Sequence, residues 1–280
     1  MIFKTLEQTD LSTLHSAFIE AFSDYQVNMD ISFADFDRMM RRRGLYLGIS
    51  VGAFEGTKLI GFSLTGLRIQ HGMPIAYDIA TGITQEYRRQ RITSQIFQKE
   101  MTILRDKQVG QYLLEVIKEN LPAIKLYQKQ GFQIQREFCC FQMEPIKMIP
   151  SSQQHTVEIG EVDWEQVVSF WEFEPSWQNA IDSILAAPEA FITVIAKSDD
   201  KMVGYGIIER ITGDIPQFAV SPAYRRLGIG TSLLAELVSN TEAAKVRILN
   251  VEAEKNTVLK FLTALGFEHF ISQYEMILPL

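Results

Sequence analysis

Apolar and polar positions along the chain fall into the same run of elements twice. In the first half, residues 2–6 read as a short strand, and helical spacing follows. Ser32-Phe33-Ala34-Asp35 has the form of a capping box that opens a helix to about Arg42. Strands over 48–54 and 59–67 flank the turn Glu55-Gly56-Thr57-Lys58. A strand over 75–83 runs into an arginine-bearing loop. Then come a helix, an apolar strand over 112–116, a helix ending at Gly131 and a last strand over 132–143. The second half repeats this plan: a strand over 156–159, helical segments, strands over 191–197 and 202–209 about Ser198-Asp199-Asp200-Lys201, and a strand over 215–220 into a second arginine loop. A helix, a strand over 246–251, a helix ending at Gly266 and a strand over 267–278 close it. The order β-α-α-β-β-β-α-β-α-β predicts a mixed sheet with helices on its faces.

The repetition is also literal. ITQEYRRQRITSQIF (83–97) lies over VSPAYRRLGIGTSLL (220–234), LYQKQGF (126–132) over FLTALGF (261–267), and Leu59-Ile60-Gly61-Phe62 over Met202-Val203-Gly204-Tyr205. Three matched segments in one order mean two copies of one fold, too few for a solenoid. Between the copies, EPIKMIPSSQQH carries two prolines, two serines and no periodicity, and reads as a linker. The expected organisation is a domain over 1–144, a linker over 145–155 and a domain over 156–280. A length of 280 residues suits two cores of about 140 residues better than one.

Composition narrows the class without naming it. Hydrophobic residues are 46% and charged residues 22%, ordinary globular proportions that exclude disorder, collagen and coiled coil. With 27 Lys+Arg against 34 Asp+Glu the net charge is −7, which speaks against nucleic acid as a partner. No apolar run approaches the roughly 20 residues of a membrane span, and MIFKTLEQTD does not read as a secretory signal. The two cysteines, Cys139 and Cys140, are adjacent and would point to opposite faces of a strand, so neither a disulfide nor a zinc site is expected. A reducing, cytoplasmic setting follows from that usage. His15, His71, His155 and His269 have no metal-ligand spacing, so no metal is expected.

The strongest chemical signal is Arg225-Arg226-Leu227-Gly228-Ile229-Gly230-Thr231, between a strand and a helix. A helix start offers free N–H groups and the positive end of the helix dipole, glycines allow close approach, and arginines add charge-assisted hydrogen bonds. The chemistry fits a pyrophosphate, but the spacing by itself is a weak signal against a plain glycine-containing helix start. It is not Walker A, since no Gly-Lys-Ser/Thr follows, and it lacks the third glycine and ribose-binding acid of the dinucleotide fingerprint.

The ordered set of a glycine-bearing hairpin, strand, R-x-x-G-x-G loop, helix, strand, helix and Gly-Phe resembles the GNAT superfamily of acyl-CoA-dependent N-acetyltransferases. Asn120-Leu121-Pro122-Ala123-Ile124-Lys125-Leu126-Tyr127, with Gly131-Phe132, resembles the family's second signature. The resemblance covers nearly the whole chain as a tandem pair. It implies an α/β (α+β) fold of two GNAT-like domains, each a mixed, mostly antiparallel sheet flanked by helices. It also implies acetyl-CoA as cosubstrate between the fourth and fifth strands, its pyrophosphate on the loop, and an amine of a small molecule or peptide as acceptor. Residue by residue, the donor would be held by Val220, Arg225, Arg226, Gly228, Ile229, Gly230 and Thr231 in the second copy. In the first copy it would be held by Ile83, Arg88, Arg89, Arg91, Thr93, Ser94 and Asn120.

The copies depart from the pattern in complementary ways. The second keeps the loop but has Leu262 at the tyrosine position, with the asparagine displaced to Asn256. The first keeps Asn120 and Tyr127 but has Arg91 and Thr93 for the two glycines, Arg91 pointing either to solvent or to a phosphate. Tyr127 is the candidate acid for the departing thiolate, which the resemblance implies; packing against the sheet is the alternative. Asp78 is the candidate base in the first copy and Glu252 in the second, against a plain role as solvated strand-end acids. Chemistry is expected in the first copy if that copy holds the donor. The function expected is acetyl transfer to a primary amine; the alternative is an acyl-CoA-binding regulatory or scaffold protein.

Other features carry double readings. Arg41-Arg42-Arg43 reads as a solvated helix end or a grip for an acidic acceptor. Trp164, Trp171, Phe173 and Trp177 with Glu172 and Glu174 read as packing or as an aromatic, acidic pocket. Gln217 and Asn250 should bond a ligand or each other. The short linker predicts a monomer whose halves share an apolar interface resistant to cleavage between Pro145 and Gln154.

Overall fold

The computed structural model describes residues 1–24, 29–145 and 155–280. The linker expected over 145–155, with its proposed cleavage segment, lies almost wholly outside them. By packing, the described residues form two compact units. Unit 1 comprises Met1–Glu115, Lys125–Ile134 and Met276–Leu280; unit 2 comprises Val116–Ile124 and Gln135–Glu275.

The first half of the sequence supplies β1 (Ile2–Thr5), α1 (Leu11–Phe22), α2 (Phe33–Arg42), β2 (Val51–Glu55), β3 (Lys58–Gln70), β4 (Met73–Ile83), α3 (Ile92–Asp106), β5 (Gln111–Ile117), α4 (Leu121–Gln130) and β6 (Gln133–Met143). The second half supplies β7 (Thr156–Ile159), α5 (Trp164–Val167), α6 (Ile181–Leu185), β8 (Phe191–Ser198), β9 (Lys201–Glu209), β10 (Gln217–Val220), α7 (Ile229–Ser239), β11 (Val246–Glu252), α8 (Asn256–Ala264) and β12 (Glu268–Pro279). This is the expected order in both halves, and the mixed α/β class holds. The capping box is real: the Ser32 hydroxyl accepts from the Asp35 N–H at 3.2 Å and donates to the Asp35 carboxylate at 2.6 Å. The strand expected from residue 48 begins only at Val51, because Ile49 and Ser50 both turn back to the Tyr46 carbonyl.

In unit 1, β1, β2, β3 and β4 are successive antiparallel neighbours. Their one face carries Val51, Ala53 and Ile60 against Ile92 and Ile96 of α3. Phe18 of α1, Phe36 of α2 and Phe62 of β3 pack together, centroids 5.2 and 6.4 Å from Phe18. The end of β12 belongs to this unit, where the Leu280 N–H bonds the Gly110 carbonyl at 3.1 Å. In unit 2, β10, β9, β8 and β7 form one antiparallel sheet. β6 lies between β12 and β11, antiparallel to β11. Leu233, Leu234 and Leu237 of α7 fill the main core with Val194, Val203 and Phe141.

Each unit contains a pair of parallel strands that part company. β4 and β5 pair only over residues 75–77 against 111–113. β10 and β11 are joined, among the described residues, by the single bridge Asp214–Arg247 just before β10 begins, with Ile215 N–H to Arg247 O at 2.8 Å. Beyond these points the strands diverge and leave an opening that side chains or a ligand must fill. Gly213 starts the second divergence. Its φ is +74°, and a Cβ there would lie 2.3 Å from the Lys245 carbonyl oxygen. Gly213→Ala is therefore expected to lower unfolding stability by about 2 kcal/mol or more. Urea denaturation checks it; a loss under half a kilocalorie would show that the bend is not fixed by that contact.

Candidate functional site

The arginine loops of the two units are built alike. In unit 2, Arg225 Nε donates to the Val220 carbonyl at 3.0 Å, one terminal nitrogen to the Phe170 carbonyl at 2.8 Å, and the other pairs with Glu172 at 2.9 Å. In unit 1, Arg88 Nε donates to the Ile83 carbonyl at 3.2 Å, a terminal nitrogen to the Ala21 carbonyl at 2.9 Å, and both terminal nitrogens hold Asp24 at 2.6 and 2.7 Å. A planar fork with five donors suits this three-way clasp, which ties strand end, loop and upstream segment together. Arg88 and Arg225, expected to grip a pyrophosphate, are instead engaged with protein groups. Hydrogen bonds and charge hold Asp24 down at about 2.

The clasp fixes the same backbone in both loops. Arg89 and Arg226 have φ of 62° and 66°; Arg91 and Gly228 have φ of 62° and 81°. Arg91 thus adopts the left-handed conformation that glycine takes in unit 2, although its side chain is exposed. That costs about 1–2 kcal/mol for a residue with a Cβ. Replacing Arg91 by Gly is expected to raise stability by about 0.5–1 kcal/mol after glycine's own entropy cost. Denaturation midpoints test this; a loss of stability would mean that the Arg91 side chain makes compensating contacts.

The openings behind the two loops differ. In unit 2 a cleft of about 790 Å³ runs along the divergence of β10 and β11. Val220, Arg225, Arg226, Gly228, Gly230 and Thr231 all line it. Ile229 faces the core, 3% exposed, so it offers only its backbone. Arg226 and Lys260, both exposed, bring positive charge to the cleft. Across it stand Trp171 and Phe173, and beneath it runs a chain of neutral hydrogen bonds: Trp171 Nε1 to Tyr205 Oη at 2.7 Å, Tyr205 Oη to Gln217 Oε1 at 2.7 Å, and Gln217 Nε2 to the Asn179 carbonyl at 2.7 Å. Burial pushes the Tyr205 hydroxyl well above its ordinary value. Gln217 and Asn250 do not bond each other; Asn250 Nδ2 donates to Ser176 at 2.9 Å. Glu252, the candidate base, is paired with Arg136 at 3.1 Å and does not line the cleft. Leu262 is 1% exposed and offers no proton.

In unit 1 the corresponding opening is about 20 Å³, the room of a water molecule. Phe132 closes it, its ring centroid 5.5 Å from Tyr112, 5.7 Å from Tyr127 and 6.2 Å from Phe97. Of the residues expected here, Asp78, Thr93 and Tyr127 line it, and Tyr127 Oη donates to Asp78 at 3.4 Å. Ile83, Arg88, Arg89, Arg91 and Ser94 do not. The Asn120 side chain caps α4 instead, accepting from the Ala123 N–H at 3.3 Å. Burial pushes Asp78 up to about 6, against the Thr81 and Tyr127 hydroxyls and Arg43. Arg43 itself is no solvated helix end: it is half-buried and donates to the Ile79 carbonyl at 3.3 Å.

Glu100 escaped the sequence reading. It lies on α3, 1% exposed, bonded by Ser63 at 3.0 Å and by Thr65. Its signal was available: Ile92, Ile96, Glu100 and Leu104 fall at four-residue spacing on one face, so an acid occupies an apolar stripe. Burial first, then the neighbouring Asp78 charge, pushes Glu100 up to about 8. The folded protein therefore holds this proton more tightly than the unfolded chain. The stability it confers is complete below the ordinary carboxylate value and is lost as pH rises towards 8. Glu100→Gln is expected to remove that slope, so its melting temperature should gain on the parent from pH 5 to pH 8.5. Parallel curves over that range would sink the assignment.

The aromatic stretch 164–177 divides: Trp171 and Phe173 line the cleft, Trp177 is 3% exposed, and Glu174 is exposed. Among the described residues no helix is long and apolar enough to cross a membrane.

Comparison with known proteins agrees with this fold. No curated protein matches the chain in sequence. Among solved structures, a tandem GNAT protein from the clavulanic acid biosynthesis pathway superposes with a TM-score of 0.78 at 14% identity, over 99% of this chain and 98% of that one. A GCN5-related N-acetyltransferase from Sphaerobacter thermophilus gives 0.73 at 15% identity, over 99% and 95%. One from Anabaena variabilis gives 0.63 at 16%, over 99% and 72%. At these identities the likeness is one of fold. The family model for the acetyltransferase (GNAT) family matches twice, over residues 11–132 and 156–267. With both halves of the sequence matched, the chain belongs to the acetyltransferase (GNAT) family.

Proposed function

We propose that the protein is an N-acetyltransferase that takes acetyl-CoA in the unit 2 cleft and passes the acetyl group to a primary amine of a small molecule or peptide. The carrying observation is the contrast in space: about 790 Å³ behind the intact glycine loop of unit 2, about 20 Å³ behind the altered loop of unit 1. A drug-sized ligand needs a few hundred Å³. The N-terminus of α7, with Gly228 at its cap, Gly230 in its first turn and Arg226 and Lys260 beside it, would take the pyrophosphate. The apolar walls between β10 and β11 would take the pantetheine arm and thioester. Arg225 acts through the loop by holding its shape. In unit 1 the Tyr127–Asp78 pair keeps the geometry of an acid and base but lacks room for a donor, so its chemistry requires the Phe132 cluster to move. Cys139 and Cys140, both thiols outside any disulfide, fit a reducing compartment such as the cytoplasm.

A second reading, acyl-CoA binding without turnover, is favoured by one observation: buried Leu262 stands where the family motif has tyrosine. Release of free CoA from acetyl-CoA in the presence of an amine panel separates the two. For the binding site itself, Gly228→Val places a β-branched residue at φ +81°. It is expected to weaken CoA binding about tenfold or more by calorimetry, since each 1.4 kcal/mol lost is tenfold. Unchanged affinity would remove unit 2 as the donor site.

A further inference from the structure

Every ionisable side chain that lines the unit 2 cleft can be accounted for. They are Glu172, Tyr205, Tyr224, Arg225, Arg226 and Lys260. Glu172 is the one carboxylate among them, and it is paired with Arg225. The same clasp occurs in unit 1 as Arg88–Asp24, where it holds a loop and nothing else, so Glu172 is a structural counter-charge and not a free base. Among the described residues no histidine lines the cleft. Tyr205 is buried and donates its proton to Gln217, Tyr224 packs partly buried against the main core, and Arg226 and Lys260 are cations suited to the phosphates. What remains across the cleft is aromatic and neutral: Trp171, Phe173, Phe218 and Phe261, the last two stacked at 6.0 Å with rings 10° apart.

An amine attacks a thioester only through its free lone pair. An alkylamine with the basicity of lysine is unprotonated in roughly 1 molecule in 2,500 at pH 7. A general base that removes the surplus proton contributes typically about 10²–10⁴-fold. Among the described residues the cleft supplies no such group and no carboxylate outside an ion pair to attract an ammonium ion. We infer that its acceptor is a weakly basic aromatic amine, which enters already unprotonated and stacks on the aromatic walls. This rests on the reading of unit 2 as the acetyl-CoA site. The transfer then balances without a protein base. The amine nitrogen bonds the acetyl carbon, the C–S bond breaks, and the acidified N–H proton ends on the sulfur of CoA, directly or through solvent in the open cleft. Stacking against Trp171 and Phe173 supplies binding without charge.

The test is acetyl transfer by the full chain, with aniline-type amines compared with alkyl diamines and lysine peptides of matched size. Alongside it, acetyl-CoA binding is measured by calorimetry. At pH 7 the arylamines should exceed the alkylamines by about tenfold or more in kcat/KM. For an alkylamine, kcat/KM should climb tenfold per pH unit from 6 to 9 with no inflection from the enzyme. Trp171→Ala should raise KM for the arylamine several-fold, a larger factor than any loss of acetyl-CoA affinity in the same variant. Preference for alkylamines, or an inflection between pH 6 and 8 that does not move with the acceptor, would overturn the inference and leave the donor site standing. Acetyl-CoA binding with transfer to neither class would also overturn it. Absence of acetyl-CoA binding would instead bring down the reading of unit 2 on which it rests.

Discussion

Two neighbouring parallel strands that stop pairing part-way create the condition that the rest of each unit answers. Once β10 leaves β11 after Ile215, and β4 leaves β5 after Tyr77, backbone groups and apolar side chains face a gap that water would otherwise enter. The two units answer differently. Unit 1 fills the gap with its own side chains, Phe132 against Tyr112, Tyr127 and Phe97, above a buried layer of hydroxyls and two carboxylates. Unit 2 bridges the floor with the Trp171–Tyr205–Gln217 chain and keeps the space above it open. One backbone plan thus yields a closed polar core in one unit and an open cleft in the other.

Much of this was legible in the chain. Element order followed from hydrophobic period and the doubled plan from the matched segments. The openings were not legible, because they depend on side chains distant in sequence. Phe132 reads as the end of a Gly-Phe motif, and nothing near it shows that its ring meets Phe97 and Tyr112. The clasp was hidden for the same reason: Arg88 finds Asp24 and Arg225 finds Glu172, partners supplied by a different element each time. Sequence logic aimed both arginines at a ligand because it could not see that the protein itself uses their donors. Glu100 is a different case, an acid on an apolar stripe whose position alone marked it as buried.

Loss of loop glycines in unit 1 did not change the loop. Arg91 takes the same left-handed backbone as Gly228 beside the same arginine clasp, at a cost for a residue that carries a Cβ. What distinguishes the units is therefore less the motif than the space behind it. A motif-based ranking that places Tyr127 and Asp78 above the neutral residues of unit 2 weighs chemistry without volume.

The arginine clasp has a thermodynamic consequence. A loop held on both sides by a charged fork, with its helix-start N–H groups already aimed, does not have to be ordered by the molecule that docks on it. The entropy usually surrendered when a flexible phosphate loop closes is spent during folding instead. Docking of an anionic ligand on unit 2 should therefore show a heat-capacity change set by the apolar walls of the cleft alone, with no added signature of coupled folding.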